Sequence, residues 1–329
     1  MRFLKNTCTD PYFNMAFDEY CLEHLSLEEP VFYLWQNRPS VIMGANQEVN
    51  TEVNLAYLKE HDIALVRRVT GGGTVYHDFG NLNYTIVGET KNLEHDYPQY
   101  THCILKALQS LGIPATLSGR NDILVENKKV SGLAKRVYKD RLMVHGTLMF
   151  DVDLEVLTQV LCPPLTKLQS KGIASVRSRV ANLKELLPPG TDISSFKNQL
   201  EEILSNHYTD KEVIMEEKEV AQIKLLAEQK FAQWEWIYGR SPKATLTHSA
   251  RMACGTVNIH LSVEKNRIVS CHFGGDFLGY LPTSALEERL KGIPYDAESI
   301  QKCLSSFHIN QYFDGMTVEE LVGLMMQSV

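Results

Sequence analysis

Residues 67–78 read Arg-Arg-Val-Thr-Gly-Gly-Gly-Thr-Val-Tyr-His-Asp. Three consecutive glycines strip the side chains from a short stretch of backbone, so a ligand can approach it closely. Successive N–H groups then become available to an anion or a carbonyl. Arg67 and Arg68 bring charge and fork-shaped donors suited to phosphate or carboxylate. The competing reading of a glycine triplet is a hairpin turn between two strands, but the flanking Arg-Arg and His-Asp favour a ligand loop. Two familiar phosphate loops are excluded. No Gly-x-x-x-x-Gly-Lys occurs in the chain, and Gly71-x-Gly73-x-x-Tyr76 lacks the third glycine of a dinucleotide fingerprint and leads into a strand-like run.

A second centre lies at residues 128–141, where six cations meet one acid. A charge run is ordinarily a solvated face. Here it contains Ser131-Gly132-x-Ala134, whose small residues admit a ligand or a neighbouring strand, and it is framed by Gly119-Arg120-Asn121-Asp122 and His145-Gly146-Thr147. A lysine facing inward from such a strand is a point charge for an acyl or phosphoryl oxygen.

The elements that must hold these residues follow from pattern. Asp10-Pro11 caps and opens a helix whose apolar residues Phe13, Phe17, Tyr20, Cys21 and Leu25 recur at helical spacing. Strands are expected at 31–36, 40–43, 63–68, 73–78, 81–88, 122–125, 129–131 and 142–150, with helices at 53–61 and 98–111. That irregular mixture favours α+β over a doubly wound parallel sheet. Helices are expected at 154–161, 193–207 and 218–232, and a basic loop at 171–180. A polar linker over 238–249 precedes a hairpin (255–262 and 267–273) and three short helices. The expected organisation is a large mixed-sheet catalytic domain (1–242) and a small α+β accessory domain (248–329).

Composition sets the class. The chain has 329 residues, 44% hydrophobic and 22% charged, with net charge −7, which argues against a general nucleic-acid binder. No run approaches the ~18 apolar residues of a membrane span. The N-terminal apolar stretch is too short for a signal peptide. Seven scattered cysteines without a Cys-x-x-Cys pair read as reduced thiols of a cytoplasmic protein.

The ordered set Arg-Arg-x-x-Gly-Gly-Gly-x-Val-x-His-Asp, Gly-Arg-Asn-Asp, Lys-Val-Ser-Gly-x-Ala and His-Gly-Thr-Leu resembles the lipoate–protein ligases. The similarity continues through Lys171-Gly-Ile-Ala-Ser-Val-Arg-Ser-Arg-Val-Ala-Asn-Leu and the small C-terminal domain, so it covers essentially the whole chain. The resemblance implies the fold shared with biotin ligases and octanoyltransferases. It also implies activation of lipoic acid by ATP with Mg²⁺, and transfer of the lipoyl group from lipoyl-AMP to a lysine. The implied acceptors are lipoyl domains of 2-oxoacid dehydrogenases or the glycine cleavage H protein, with no nucleic acid or membrane partner.

By the same resemblance Lys129, which directly precedes Val-Ser-Gly, is the catalytic lysine rather than Lys128. Contacts to ATP or lipoate are expected from Arg68, Gly71, Gly72, Gly73, Thr74, Val75, Tyr76, His77, Asp122, Ala134, His145 and Gly146. Ser175, Val176 and Arg177 belong to the loop expected to close over the adenylate. Asp122 stands as a metal ligand, a partner for the lysine, or a structural aspartate. His77 and His145 stand equally as ligand-orienting groups and as core histidines. Strands 31–43 are expected to help wall an apolar slot for the acyl chain. Two other classes stay open: an octanoyltransferase working through a cysteine acyl-enzyme, and a non-catalytic lipoate or nucleotide sensor. Neither Cys103 nor Cys162 is well placed for the former, and no output module for the latter is visible.

Overall fold

The structure, a computed structural model, describes residues 1–119, 121–161, 179–205, 212–238 and 246–326. Arg120, Cys162, most of the expected 171–180 loop with Ser175, Val176 and Arg177, and residues 239–245 of the expected linker lie outside the described residues.

Among the described residues thirteen strands form three sheets. The strands are β1 (Arg2–Phe3), β2 (Val31–Trp35), β3 (Ser40–Met43), β4 (Ala64–Arg67), β5 (Val75–His77), β6 (Asn81–Glu89), β7 (Thr116–Ser118), β8 (Asp122–Val125), β9 (Lys128–Tyr138), β10 (Arg141–Met149), β11 (Leu246–Met252), β12 (Gly255–Glu264) and β13 (Arg267–Gly275). The largest sheet has the order β1-β2-β6-β10-β9-β8-β7. It is antiparallel except for the β1–β2 pair. β2 is buried along its whole length and reads as a continuous apolar run, while β6, buried at all but its last residue, carries the buried polar residues Asn81, Asn83 and Thr85 between its apolar ones. One face is covered by the Leu93–Ser110 and Ile193–Ser205 helices, the other by the Pro11–Glu23 and Glu217–Leu226 helices. Phe150 and Phe196, stacked at 5.1 Å, exemplify the first contact. Burying such a side chain is worth roughly 1.5–3 kcal/mol.

The small C-terminal unit is an antiparallel meander, β11-β12-β13. Val257, Ile259 and Leu261 alternate inward along β12, and the core they enter is closed by Leu286, Ile300, Leu304 and Leu321 from three helices. The architecture is α+β, as expected.

Several expectations are corrected. β4 and β5 do not form a hairpin. Both flank β3, parallel on one side and antiparallel on the other, so the glycine loop crosses over the end of β3. β9 is one strand of 11 residues rather than a short 129–131 piece, because β10 pairs along it from Leu133 to Tyr138. The Leu93–Ser110 helix starts before Pro98, capped by Asn92. The expected 53–61 helix is shorter, Leu55–Glu60, and an additional short helix, Val49–Glu52, precedes it across extended Val53. Leu246–Ser249 belongs to β11 and not to a linker. A fourth short helix, Ile309–Tyr312, joins the three expected near the C-terminus.

Candidate functional site

The glycine loop, β9 and β10 enclose a cavity of about 120 Å³, roughly ten times the space one water needs. Lys129 stands at its open end with a side chain 37% exposed, paired with Asp122 at 2.8 Å. The opposite wall, made by Met15, Trp35, Ile42, His77 and Asn83, is almost wholly buried. The cavity is therefore a slot with Lys129 at its mouth and, at depth, apolar and neutral polar groups together with the buried Arg68.

Local sequence explains the placement of each side chain. Alternation along β5 turns Val75 and His77 to the cavity and Tyr76 to the opposite face, among Val41, Leu65 and Met149. Tyr76 is thus a core residue, against expectation. Lys129 is held through its backbone, which donates to the Arg179 carbonyl at 2.7 Å and accepts from Ala181. Gly132 leaves space for the lysine, since a Cβ there would lie 2.9 Å from Lys129 Nζ. At Gly146 a Cβ would strike the Tyr84 hydroxyl.

The two arginines organise the loop instead of presenting a free fork to a ligand. Arg67, 1% exposed, donates to the carbonyls of Gly44, Gln47 and Ile237 and does not line the cavity. Arg68 lines it, yet its guanidinium donates to Thr70 Oγ1 and to the carbonyls of Ile42, Gly71 and Gly73. Burial, and then Arg67, lower its pKa to about 10, so it stays charged at neutral pH. The triplet does not offer three free donors either. Gly72, at φ +90°, donates to the Phe277 carbonyl of the small domain, and Gly71 packs against the same carbonyl. Gly73 lines the cavity, and a Cβ there would meet nothing.

His77 is neutral: burial first, then Arg68 and His145, lower its pKa to about 3. A chain of buried amides fixes its ring. Asn14 donates to Asn37 Oδ1, so Asn37 Nδ2 donates to His77 Nδ1 and the ring proton sits on Nε2. His145 bridges Asp18 Oδ2 (2.7 Å) and Thr70 Oγ1 (2.8 Å).

Of the residues expected from sequence, Arg68, Gly72, Gly73, Thr74, Val75, His77, Lys129, Ala134, His145 and Gly146 line one cavity, with Asp122 beside Lys129. Gly71 faces the small domain. Trp35 and Ile42 fulfil the expected wall from strands 31–43. Asn121 and Thr147, from the motifs that frame the second centre, also line the cavity, whereas Met15, Asn83 and Leu133, and Asp18 behind the wall, were not anticipated, because the local pattern of their elements reports only burial. Among the described residues no cysteine lines the cavity, no three His, Cys, Asp or Glu side chains gather to hold a metal, and no helix is long and apolar enough to cross a membrane.

Comparison with known proteins agrees with this geometry. Residues 10–205 match the lipoyl protein ligase A/B catalytic domain, and residues 241–325 match the bacterial lipoate protein ligase C-terminus. The lipoate-protein ligase LplJ of Bacillus subtilis is 38% identical over 99% of this chain and 100% of its own. The crystal structure of P. falciparum LipL1 in complex with lipoate aligns with a TM-score of 0.78 at 25% identity, over 93% of this chain and 94% of that one. Lipoate-protein ligase A bound with ATP aligns at 0.63 and 28% identity, over 71% and 97%. The chain belongs to the lipoate–protein ligase family and is an enzyme of that family.

Proposed function

We propose that the slot holds the acyl chain of lipoate with its carboxylate at Lys129, and that the enzyme activates this carboxylate with ATP before passing the acyl group to a protein lysine. The observation that carries the reading is the slot itself, a lysine at the open end of a buried, largely apolar channel. Bound lipoate in LipL1 and bound ATP in lipoate-protein ligase A support it.

In the first step a lipoate carboxylate oxygen attacks the α-phosphorus, the α–β phosphoanhydride breaks, and pyrophosphate leaves. Lys129 lowers the repulsion between the two anions and stabilises charge on the transferring oxygens. Asp122 holds its ammonium in place. A Mg²⁺ ion would be held chiefly by the nucleotide phosphates, with Asp122 beside Lys129 as a candidate carboxylate ligand, and would supply charge neutralisation. In the second step the neutral amine of an acceptor-domain lysine attacks the acyl carbonyl. The amide forms, AMP leaves, and one proton is released. No protein nucleophile enters, consistent with the cysteine-free lining of the described cavity. The acceptors proposed are lipoyl domains of the 2-oxoacid dehydrogenase or glycine cleavage type. The large domain is proposed to bear the chemistry, and the small domain, from β11 onward, to be an accessory unit.

The test is lipoate-dependent ATP–pyrophosphate exchange, followed by mass analysis of a lipoyl acceptor domain. Exchange and one lipoyl adduct on a single lysine are expected. Transfer from an acyl carrier protein without ATP, and no exchange, would overturn the reading in favour of an octanoyltransferase.

A further inference from the structure

We propose that Asp18 is a positioning residue for acyl binding, acting through the tautomer of His145; the inference rests on the cavity being the acyl slot. Asp18 lies on the Pro11–Glu23 helix, 1% exposed, and no feature of the glycine loop or of β9 points to it. Its carboxylate is a hub. Oδ1 accepts from the Tyr33 hydroxyl at 2.7 Å and from Thr85 Oγ1 at 3.0 Å. Thr85 in turn accepts from Trp35 Nε1 at 3.0 Å. Oδ2 faces His145 Nδ1 at 2.7 Å.

A carboxylate only accepts, so His145 carries its proton on Nδ1. In the neutral ring Nε2 is then an acceptor, and the Thr70 hydroxyl donates to it at 2.8 Å. That leaves the Thr70 oxygen free to accept from Arg68 Nε at 3.0 Å. Arg68 uses its remaining donors on Ile42, Gly71 and Gly73. One buried carboxylate therefore sets three cavity walls that come from separate elements: Trp35 on β2, His145 on β10, and the glycine loop after β4. The carboxylate fixes Nδ1 as the donor, in the neutral ring Nε2 then accepts from Thr70, and Arg68, which can only donate, completes the chain.

Asp18→Asn preserves shape and reverses that direction. Tyr33 and Thr85 demand the amide oxygen at the Oδ1 position, so the NH₂ faces His145 Nδ1. The imidazole must then accept at Nδ1 and carry its proton on Nε2. That proton meets Thr70 Oγ1, which already accepts from Arg68, and the buried Thr70 hydroxyl proton loses its acceptor. The glycine loop shifts and the acyl chain binds less well, while Lys129 on β9 is untouched.

The experiment measures lipoate-dependent pyrophosphate exchange and the ¹⁵N resonances of His145 at pH 8 in wild type, Asp18→Asn, Thr70→Val and the double variant, with melting curves. The expected result is a reversed His145 tautomer and a lipoate KM about 10–100-fold higher in Asp18→Asn, with kcat and the KM for ATP within about twofold. The double variant should be no worse than the poorer single one, since both substitutions break one chain. A His145 that keeps its Nδ1 proton, an unchanged lipoate KM, or additive losses would overturn the proposal. Absence of exchange in wild type would instead overturn the acyl-slot reading, and the tautomer measurement still decides whether the relay operates. If Asp18→Asn melts early, Thr70→Val alone tests the link from His145 to Arg68 through the same KM.

Discussion

Lys129 differs from its neighbour Lys128 only in which way it faces. Lys129 enters the cavity beside Asp122, whereas Lys128 is exposed. Lys129→Ala should lower pyrophosphate exchange on the order of 10²–10³-fold, the cost of removing one preorganised oxyanion contact, while Lys128→Ala stays near wild type. Greater sensitivity at Lys128 would sink the assignment. Gly132→Ala offers a subtler version. Its Cβ would displace the flexible tip of Lys129, so activity should fall while stability changes by less than about 1 kcal/mol; equal activity would show that the lysine is not confined there. His77 contributes a pH dependence. Its folded pKa of about 3 lies below the ordinary histidine value of 6.5. Below pH 6.5 the unfolded chain therefore takes up a proton that the folded protein refuses. The stability His77 contributes is present above that value and is lost as pH falls toward 3, by at most about 1.4 kcal/mol per unit. His77→Phe should flatten the melting temperature between pH 6.5 and 4.5, and an unchanged slope would refute this source.

At the scale of the element, the glycine loop crosses β3 with its two outer faces committed differently. Gly72 needs its positive φ and its bond to Phe277, whereas Gly73 has neither constraint and only the cavity beside it. The two glycines should therefore separate cleanly. Gly72→Ala should cost about 1–2 kcal/mol of stability through backbone strain. Gly73→Ala should leave the melting curve within about 0.5 kcal/mol and weaken lipoate binding. Calorimetric titration of folded Gly73→Ala with lipoate checks this, and wild-type affinity would remove Gly73 from the ligand surface.

For the whole molecule, the small domain is a support for the site. It grips the glycine loop through Phe277 and reaches the large domain again at Lys135. That ammonium, 5% exposed, lies 3.0 Å from Asp314 and over the rings of Tyr97 (4.0 Å) and Tyr280 (3.8 Å). His260 adds a contact to Glu48 at 2.7 Å, which lowers the pKa of Glu48 by hydrogen bonding. A desolvated cation–π pair is worth about 2 kcal/mol, and breaking a buried ion pair about 3–5. Lys135→Met should therefore uncouple the two units. All three tryptophans, Trp35, Trp234 and Trp236, precede residue 239, so fluorescence reports the large domain alone while calorimetry reports both. The two melting curves should coincide in wild type and diverge in Lys135→Met; coincidence in both would show that the cage does not couple them. Truncation after Pro242 should abolish exchange and also raise the KM for pre-formed lipoyl-adenylate, because the loop loses its Phe277 support. Full activity in a folded truncation would rule out the supporting part.

The amino-acid sequence by itself determined the family. The glycine triplet, Lys129 before Val-Ser-Gly, and His145-Gly146 are local patterns, and their order along the chain was enough for the family and the α+β class. Alternation also reported which face of each strand is apolar, as along β12. Tertiary structure alone decided which strands are neighbours. A run of residues gives no local signal that β3 will separate β4 from β5, so the crossing of the glycine loop was invisible and a hairpin stood as its rival. For the same reason Arg67 and Arg68 read as ligand donors. Only packing showed that the backbone carbonyls of Ile42, Gly44, Gln47, Gly71, Gly73 and Ile237 already occupy them. Asp18 reads in sequence as one of three acids on a largely apolar helix. It meets residue 145 because the first helix lies across the β6–β10 pair, and strand order of that kind depends on contacts distant in sequence, which local periodicity does not encode.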